Sequence, residues 1–252
     1  MRWVPPPDML FAASEQVVPV VSLEMARVAA SMVIVMVRGG EGLVPAALMS
    51  MTPGFNACID ASGKWVCGTY IPAALRGAPF ALIPTAQRQL LLCVDQQFVV
   101  PEELSGGEPF FTPAGELSER TKAARDFLKD VEANRMGSAR ACAALARHQC
   151  LGPMALDDEA AETGQPRYLK VREAALGKLS AEALVELRDC GALALAYCQL
   201  ISMQHLTALK ELHARALANA AAAKAPPPAA PDGPVDLSIL DKDGTMNFDA
   251  FR

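Results

Sequence analysis

The chain is poor in the residues that most often carry chemistry. Histidine occurs three times in 252 residues, aromatic residues make up 6%, and no cysteine or histidine pair has the CxxC or HxxxH spacing of a metal site. No GxGxxG or GxxxxGK[ST] loop is present to cradle a nucleotide phosphate, and the GxSxG elbow of a serine hydrolase is also missing. Lysine and arginine gather in no basic run, and the net charge of −5 argues against a surface built for nucleic acid. No catalytic residue, metal, cofactor or nucleic-acid partner is therefore expected.

What the chain does have is apolar mass. Hydrophobic residues make up 52% and charged residues 20%, enough for a globular protein with one core of one or two subregions. The opening "MRWVPPPDML" has three prolines and no apolar run before a small-residue cleavage site, so it reads as no secretory signal, and a cytoplasmic location is expected. The seven cysteines (58, 67, 93, 142, 150, 190 and 198) are odd in number and lie mostly in apolar runs. They are expected to be reduced thiols rather than a disulfide framework.

The first half alternates short apolar runs with Gly and Pro breakers, the rhythm of a sheet. Residues 17–24 read as extended, 23–30 as a short helix and 32–38 as a buried strand ended by Gly39-Gly40; further strands are expected at 43–49, 55–60, 64–70, 80–84 and 89–95. From Glu116 to about Gln149 the spacing turns helical, as one helix or as two parted near Met136-Gly137. A strand at 168–173 follows, then a helix from Ala181 capped by Ser180, with Leu184, Leu187, Gly191, Leu195, Cys198, Ile201, His205, Leu209 and Leu212 on one stripe. The order of elements predicts an α+β protein, a mixed or antiparallel sheet from the N-terminal half packed with helices from the C-terminal half. It would be a single globular domain over 1–222, with a Pro/Ala-rich linker at 223–234 and a short extended tail at 235–252.

Residues 190–209 contain no Asp, Glu, Lys or Arg, long enough to cross a bilayer, yet Gln199, Ser202, Gln204, His205 and Thr207 point to a helix of a soluble fold. His205 reads as a hydrogen-bonded core residue. Cys142, His148 and Cys150 sit near a helix end, with His148 directed away from the two thiols. The tail's "LDKDGTMNFDAF" is rich in oxygen ligands, but an EF-hand register puts Ile239 and Ala250 where carboxylates are required, so a turn between extended pieces is expected. In "CIDASGKWVCGTYIP" a turn at Ala61-Ser62-Gly63 would set Cys58 and Cys67 on neighbouring strands.

The wider window "FNACIDASGKWVCGTYIPAALRGAPF" resembles the central signature of the SapC family, in which an asparagine and an aspartate precede a Gly-x-Trp hairpin and a Tyr-x-Pro-Ala segment leads to an arginine and a Pro-Phe pair. Here those positions are Asn56, Asp60, Gly63, Trp65, Tyr70, Pro72, Ala73, Leu75, Arg76, Pro79 and Phe80. "VPVVSLEMARVAASMVIVMV", "GEPFFTPAGELSERTKAARDFL", "LRDCGALALAYCQLISMQHLTAL" and "DGTMNFDAF" resemble further family segments in the same order. "SMVIVMV" departs in lacking the aromatic-proline lead-in, and "LRGAPF" in lacking a second arginine and tyrosine.

The resemblance implies a bacterial accessory protein of surface-layer protein or peptide export, since the family is named for a surface-layer locus, and it carries over no catalytic residue. A protein or peptide partner is expected, met by Trp65, Tyr70 and Arg76. An alternative is a small-molecule binder or enzyme with a pocket between the sheet and the C-terminal helix, using Arg76, Asp60 or His205. In a third reading the signature is structural, Trp65 and Phe80 filling the core while Gly63 and Pro72 shape turns.

Overall fold

The computed structural model describes residues 1–40, 42–85, 87, 89–102, 106–154, 156 and 166–224. The expected tail and nearly all of the expected linker, residues 225–252, lie outside them. Met1–Leu217 forms one compact unit of the α+β class. In chain order its strands are β1 (Arg2–Trp3), β2 (Val17–Pro19), β3 (Val33–Gly39), β4 (Gly42–Leu48), β5 (Phe80–Pro84), β6 (Leu90–Val94), β7 (Val99–Val100), β8 (Glu108–Pro109), β9 (Leu151–Pro153) and β10 (Tyr168–Val171). The helices are α1 (Met25–Ala29), α2 (Ala73–Arg76), α3 (Glu119–Arg147), α4 (Glu173–Leu176), α5 (Ala181–Asp189), α6 (Ala192–Ser202) and α7 (Leu206–Lys224).

The main sheet runs β2-β4-β3-β10-β9, antiparallel at every pairing. Successive side chains of a strand point to opposite faces. Ile34 and Met36 therefore join one core with α1, the second half of α3, α5 and α6, while Val33 and Val35 join another with Leu209 of α7. Both faces are covered, so "MVIVMV" reads as a continuous apolar run rather than an alternating one. A third cluster packs Trp3, Phe80 and Leu128 where β1, the β5–β6 hairpin and the start of α3 meet. The short sheet β7-β1-β8 closes this corner.

Helix α3 is a single helix of 29 residues, about 43 Å long at 1.5 Å per residue. Ser118 caps it, its hydroxyl accepting from Thr121 N–H at 3.3 Å. Gly137 does not divide it, because the next residue, Ser138, pins the helix to the chain before α1. Its hydroxyl accepts from Ser22 N–H at 2.8 Å and donates to Asn134 O at 2.8 Å.

Two expectations are corrected. Residues 55–60 and 64–70 are not strands, for only Ile59 and Trp65 form a bridge. The Asp60 carboxylate takes the N–H groups of Ser62 and Lys64 at 2.9 and 3.0 Å, and Gly63 and Gly68 have positive φ, so the chain turns where a ladder would extend. The C-terminal helix is broken at Gly191, whose φ of 76° starts α6 afresh, and again by a 3-10 turn at Met203–His205. Its buried line through α6 is Ala192, Leu195, Ala196, Gln199 and Ser202; the expected stripe, stepping by threes through Cys198, drifts about 60° per step and carries Ile201 into solvent. Leu184 is also exposed. Ser180 caps α5 as expected, accepting from Ala183 N–H at 3.2 Å.

Residues 192–222 are long and apolar enough to cross a membrane by length and composition. Leu195, Gln199, Ser202 and Leu209 within that run are buried in the fold.

Candidate functional site

The signature segment is organised around a residue that lies outside it. Glu24 is buried at the start of α1, where a carboxylate is expected to reach back to the backbone of the preceding turn. Its Oε1 accepts from Val21 N–H at 2.9 Å, while Oε2 accepts from the Tyr70 hydroxyl at 2.8 Å and from Ala73 N–H at 2.7 Å. Pro72 is buried beside it and sets the extended entry to the single turn of α2. Arg76, at the end of that turn, donates from Nε to Ile71 O and from Nη2 to the Tyr70 oxygen, both at 3.1 Å.

The outcome is a basic-aromatic cluster at the surface. The Arg76 guanidinium lies 5.5 Å from the Tyr70 ring centre and 5.1 Å from that of Phe127, and the Arg27 guanidinium lies 5.7 Å from the Tyr70 ring. Both arginines are exposed and Tyr70 is half-buried. Burial, reinforced by the hydrogen bond to Glu24, holds the Tyr70 hydroxyl above its usual pKa.

The other signature residues serve elsewhere. Asn56 is buried, donating to Ala12 O at 3.0 Å and accepting from Cys58 N–H at 2.9 Å, so it ties this segment to the N-terminal chain. Asp60 is exposed, and hydrogen bonds from the Ser62 hydroxyl and the Lys64 N–H hold its carboxyl below the usual range. Gly63 has a φ of 80°, and a Cβ there would stand 2.6 Å from that of Asp8. Trp65 is half-buried against the main core, its Nε1 donating to Cys67 O at 3.1 Å. Phe80 is buried edge-on to Trp3 with ring centres 4.8 Å apart. Tyr70, Pro72 and Arg76 are thus brought together, while Asn56, Asp60, Trp65 and Phe80 are not part of that cluster.

Two cavities flank the segment. One of about 300 Å³ lies between the sheet edge and α3, with Val21, Val44, Ala74 and Val131 in its apolar wall and Arg135 and Ser138 as polar groups. The other, of about 210 Å³, lies between the sheet and α7, where Cys67, His205, Leu209 and Arg215 face it. His205 is half-buried, with Nε2 3.0 Å from Ala29 O. Asp60 and Arg76 line neither cavity.

Sequence reasoning missed Glu24, Arg27 and Phe127. The available signal was a lone acid three residues after Val21 at a helix start, within an otherwise apolar run. Arg27 and Phe127 carried no local signal, because they reach Tyr70 only through the tertiary fold. Cys142 and Cys150 are buried in the main core, and His148 instead pairs with Glu186 at 2.8 Å.

Fold and site together define an α+β protein in which one sequence signature builds a turn scaffold and a basic-aromatic surface cluster. The family profile described as SapC matches residues 1–209, and the chain belongs to the SapC family. No curated protein and no solved structure matches it.

Proposed function

We propose that this chain is a non-catalytic cytoplasmic accessory protein of surface-layer protein or peptide export, which binds a protein or peptide partner through Arg27, Tyr70, Arg76 and Phe127. The observation that carries the reading is the pair of exposed guanidiniums within 5.7 Å of the Tyr70 ring centre, with the Tyr70 hydroxyl bonded to the buried Glu24. Arginine and tyrosine are the usual anchors of interfaces, and a planar guanidinium matches a carboxylate of a partner chain. Trp65 leaves the expected set of anchors, because its indole N–H is already bonded to Cys67 O and its ring packs on the core. Family membership supports the export setting, and the burial of Leu195, Gln199 and Leu209 supports α6 and α7 as helices of a soluble fold rather than a membrane span.

The test is affinity capture from bacterial lysate with the full chain and with an Arg27→Ala/Arg76→Ala variant of unchanged circular dichroism. Loss of a specific partner in the variant is expected, and identical partner lists would overturn the reading.

The cavity between the sheet and α7 supports a second reading, a small-molecule binder or enzyme. Of the polar groups expected there, His205 is the one that lines it.

A further inference from the structure

The cavity of about 300 Å³ between the sheet edge and α3 is not used by the proposed partner surface. Val20, Val21, Val44, Ala74 and Val131 make its wall largely apolar. Its two polar side chains are already engaged. Ser138 accepts from Ser22 N–H and donates to Asn134 O, and Arg135 forks onto the Glu132 carboxylate at 2.7 and 2.8 Å. A cavity of this kind gives water few partners, stays dry and is favourably filled by an apolar group. About 150 Å³ holds one benzene ring, so about twice that volume takes a chain of about eight carbons.

A cation lies one helical turn from this cavity. The α2 turn is seated so closely on α3 that a Cβ at Gly77 would stand 2.7 Å from Leu128 Cδ2. Ala74, three residues before Gly77, and Val131, three residues after Leu128, both line the cavity. The Arg76 guanidinium lies over the Phe127 ring at 5.1 Å, and Phe127 precedes Val131 by one turn, about 6 Å along α3. Ile71 O and the Tyr70 oxygen take two of the five N–H donors of Arg76. Among the described residues neither Arg76 nor Arg27 has a carboxylate partner. Glu132 is matched by Arg135, and Glu24 stands against both Arg27 and Arg76, so the balance around Tyr70 is positive.

We propose that the cavity is a binding site for a free carboxylic acid with an apolar chain of about eight carbons, the chain lying between the sheet edge and α3 and the carboxylate on Arg76. The chain fills space that no polar group contests, and the carboxylate completes a guanidinium that has no acid of its own. A chain esterified in a lipid has no carboxylate left to offer, so the ligand is the free acid. The site shares Arg76 with the proposed partner surface but needs no partner chain. Filling the cavity from Ala74 leaves Arg27 and Arg76 in place, which keeps the two readings separable.

The experiment titrates the full-length protein with sodium octanoate, 1-octanol and sodium butyrate, followed by calorimetry and by NMR of the valine and leucine methyl groups. The expected result is saturable one-to-one binding of octanoate that shifts the methyls of Val21, Val44 and Val131, and no binding of butyrate over the same range. Binding of 1-octanol should be at least about tenfold weaker, the worth of a hydrogen bond to a charged group. Arg76→Ala should weaken octanoate by about the same factor and leave 1-octanol unchanged. Ala74→Leu should abolish binding of both, while partner capture still depends on Arg27 and Arg76 alone. Absence of saturable octanoate binding, equal affinity for octanoate and 1-octanol, or shifts confined to Leu209 and Leu212 beside α7 would overturn the proposal. The wild-type titrations decide the matter even if the variants fail to fold.

Discussion

The Glu24 carboxylate, buried at the start of α1, holds the Tyr70 hydroxyl at 2.8 Å across 46 positions of sequence. The same oxygen takes Ala73 N–H, and the other takes Val21 N–H. One acid thereby fixes both the phenol of the surface cluster and the start of the turn that carries Arg76.

Replacing Glu24 by Gln keeps the shape and removes the charge. The amide offers one acceptor oxygen where two accept now, and in either orientation its NH₂ meets a backbone donor, Val21 N–H or Ala73 N–H, that it cannot satisfy. Hydrogen bonds to a buried charged group are worth about 1.5–3 kcal/mol each, so a loss of about 2–4 kcal/mol in urea unfolding is expected. A loss under about 1 kcal/mol would mean that the Tyr70 turn is held by other contacts.

Tyr70 gives the protein an alkaline dependence with a definite sign. Its folded pKa lies above the ordinary value of 10.0, through burial first and Glu24 second. Below 10.0 both folded and unfolded phenols stay protonated and this contribution is fully present. As pH rises, the unfolded chain ionises first, so stability falls until the folded phenol has also ionised. Stability curves of the wild type and Tyr70→Phe should therefore converge above pH 10.0, and parallel curves there would refute the linkage.

Gly63 and Gly54 separate backbone strain from steric contact. Both have positive φ, 80° and 70°, but a Cβ at Gly63 stands 2.6 Å from that of Asp8, while one at Gly54 meets nothing within 4 Å. Gly54→Ala should cost only the left-handed term of about 1–2 kcal/mol. Gly63→Ala should cost more, about 2–4 kcal/mol, because the Asp8 segment must also move. Equal losses by thermal unfolding would show that this approach is not tight.

How far the sequence foretold these features depended on where each residue's partners lie. The β3 and β4 strands and α3 were legible because they bury continuous surface, and the Ser180 cap because its partner is three residues away. The expected strands at 55–60 and 64–70 failed because the Asp60 carboxylate and two glycines hold turns that β propensity does not register. Pro72 as a turn former and Phe80 as core agree with the structural reading of the signature. The cluster itself was only half legible. Tyr70 and Arg76 stood out within one segment, whereas Glu24, Arg27 and Phe127 arrive from α1 and α3.

Gln199 provides the last case, a side chain standing in for a rung of the sheet. Strand β10 pairs with β3 at Tyr168–Val37 and Leu169–Met36, a register that would set Val171 opposite Ile34. At that point the Gln199 amide from α6 lies between them. Its Oε1 accepts from Val171 N–H at 3.0 Å and its Nε2 donates to Ile34 O at 3.1 Å, while the Ser202 hydroxyl accepts from Ile34 N–H at 2.9 Å. Gln199 is wholly buried, so no solvent replaces it. Gln199→Leu keeps the bulk and orphans two backbone groups at once, for an expected loss of about 2–5 kcal/mol against about 1–3 kcal/mol for Ser202→Ala, which orphans one. Hydrogen exchange at Val171 should accelerate with the loss. A Gln199→Leu protein within about 0.5 kcal/mol of wild type would mean that β3 and β10 close the gap and pair directly, leaving the side chain a filler rather than a rung.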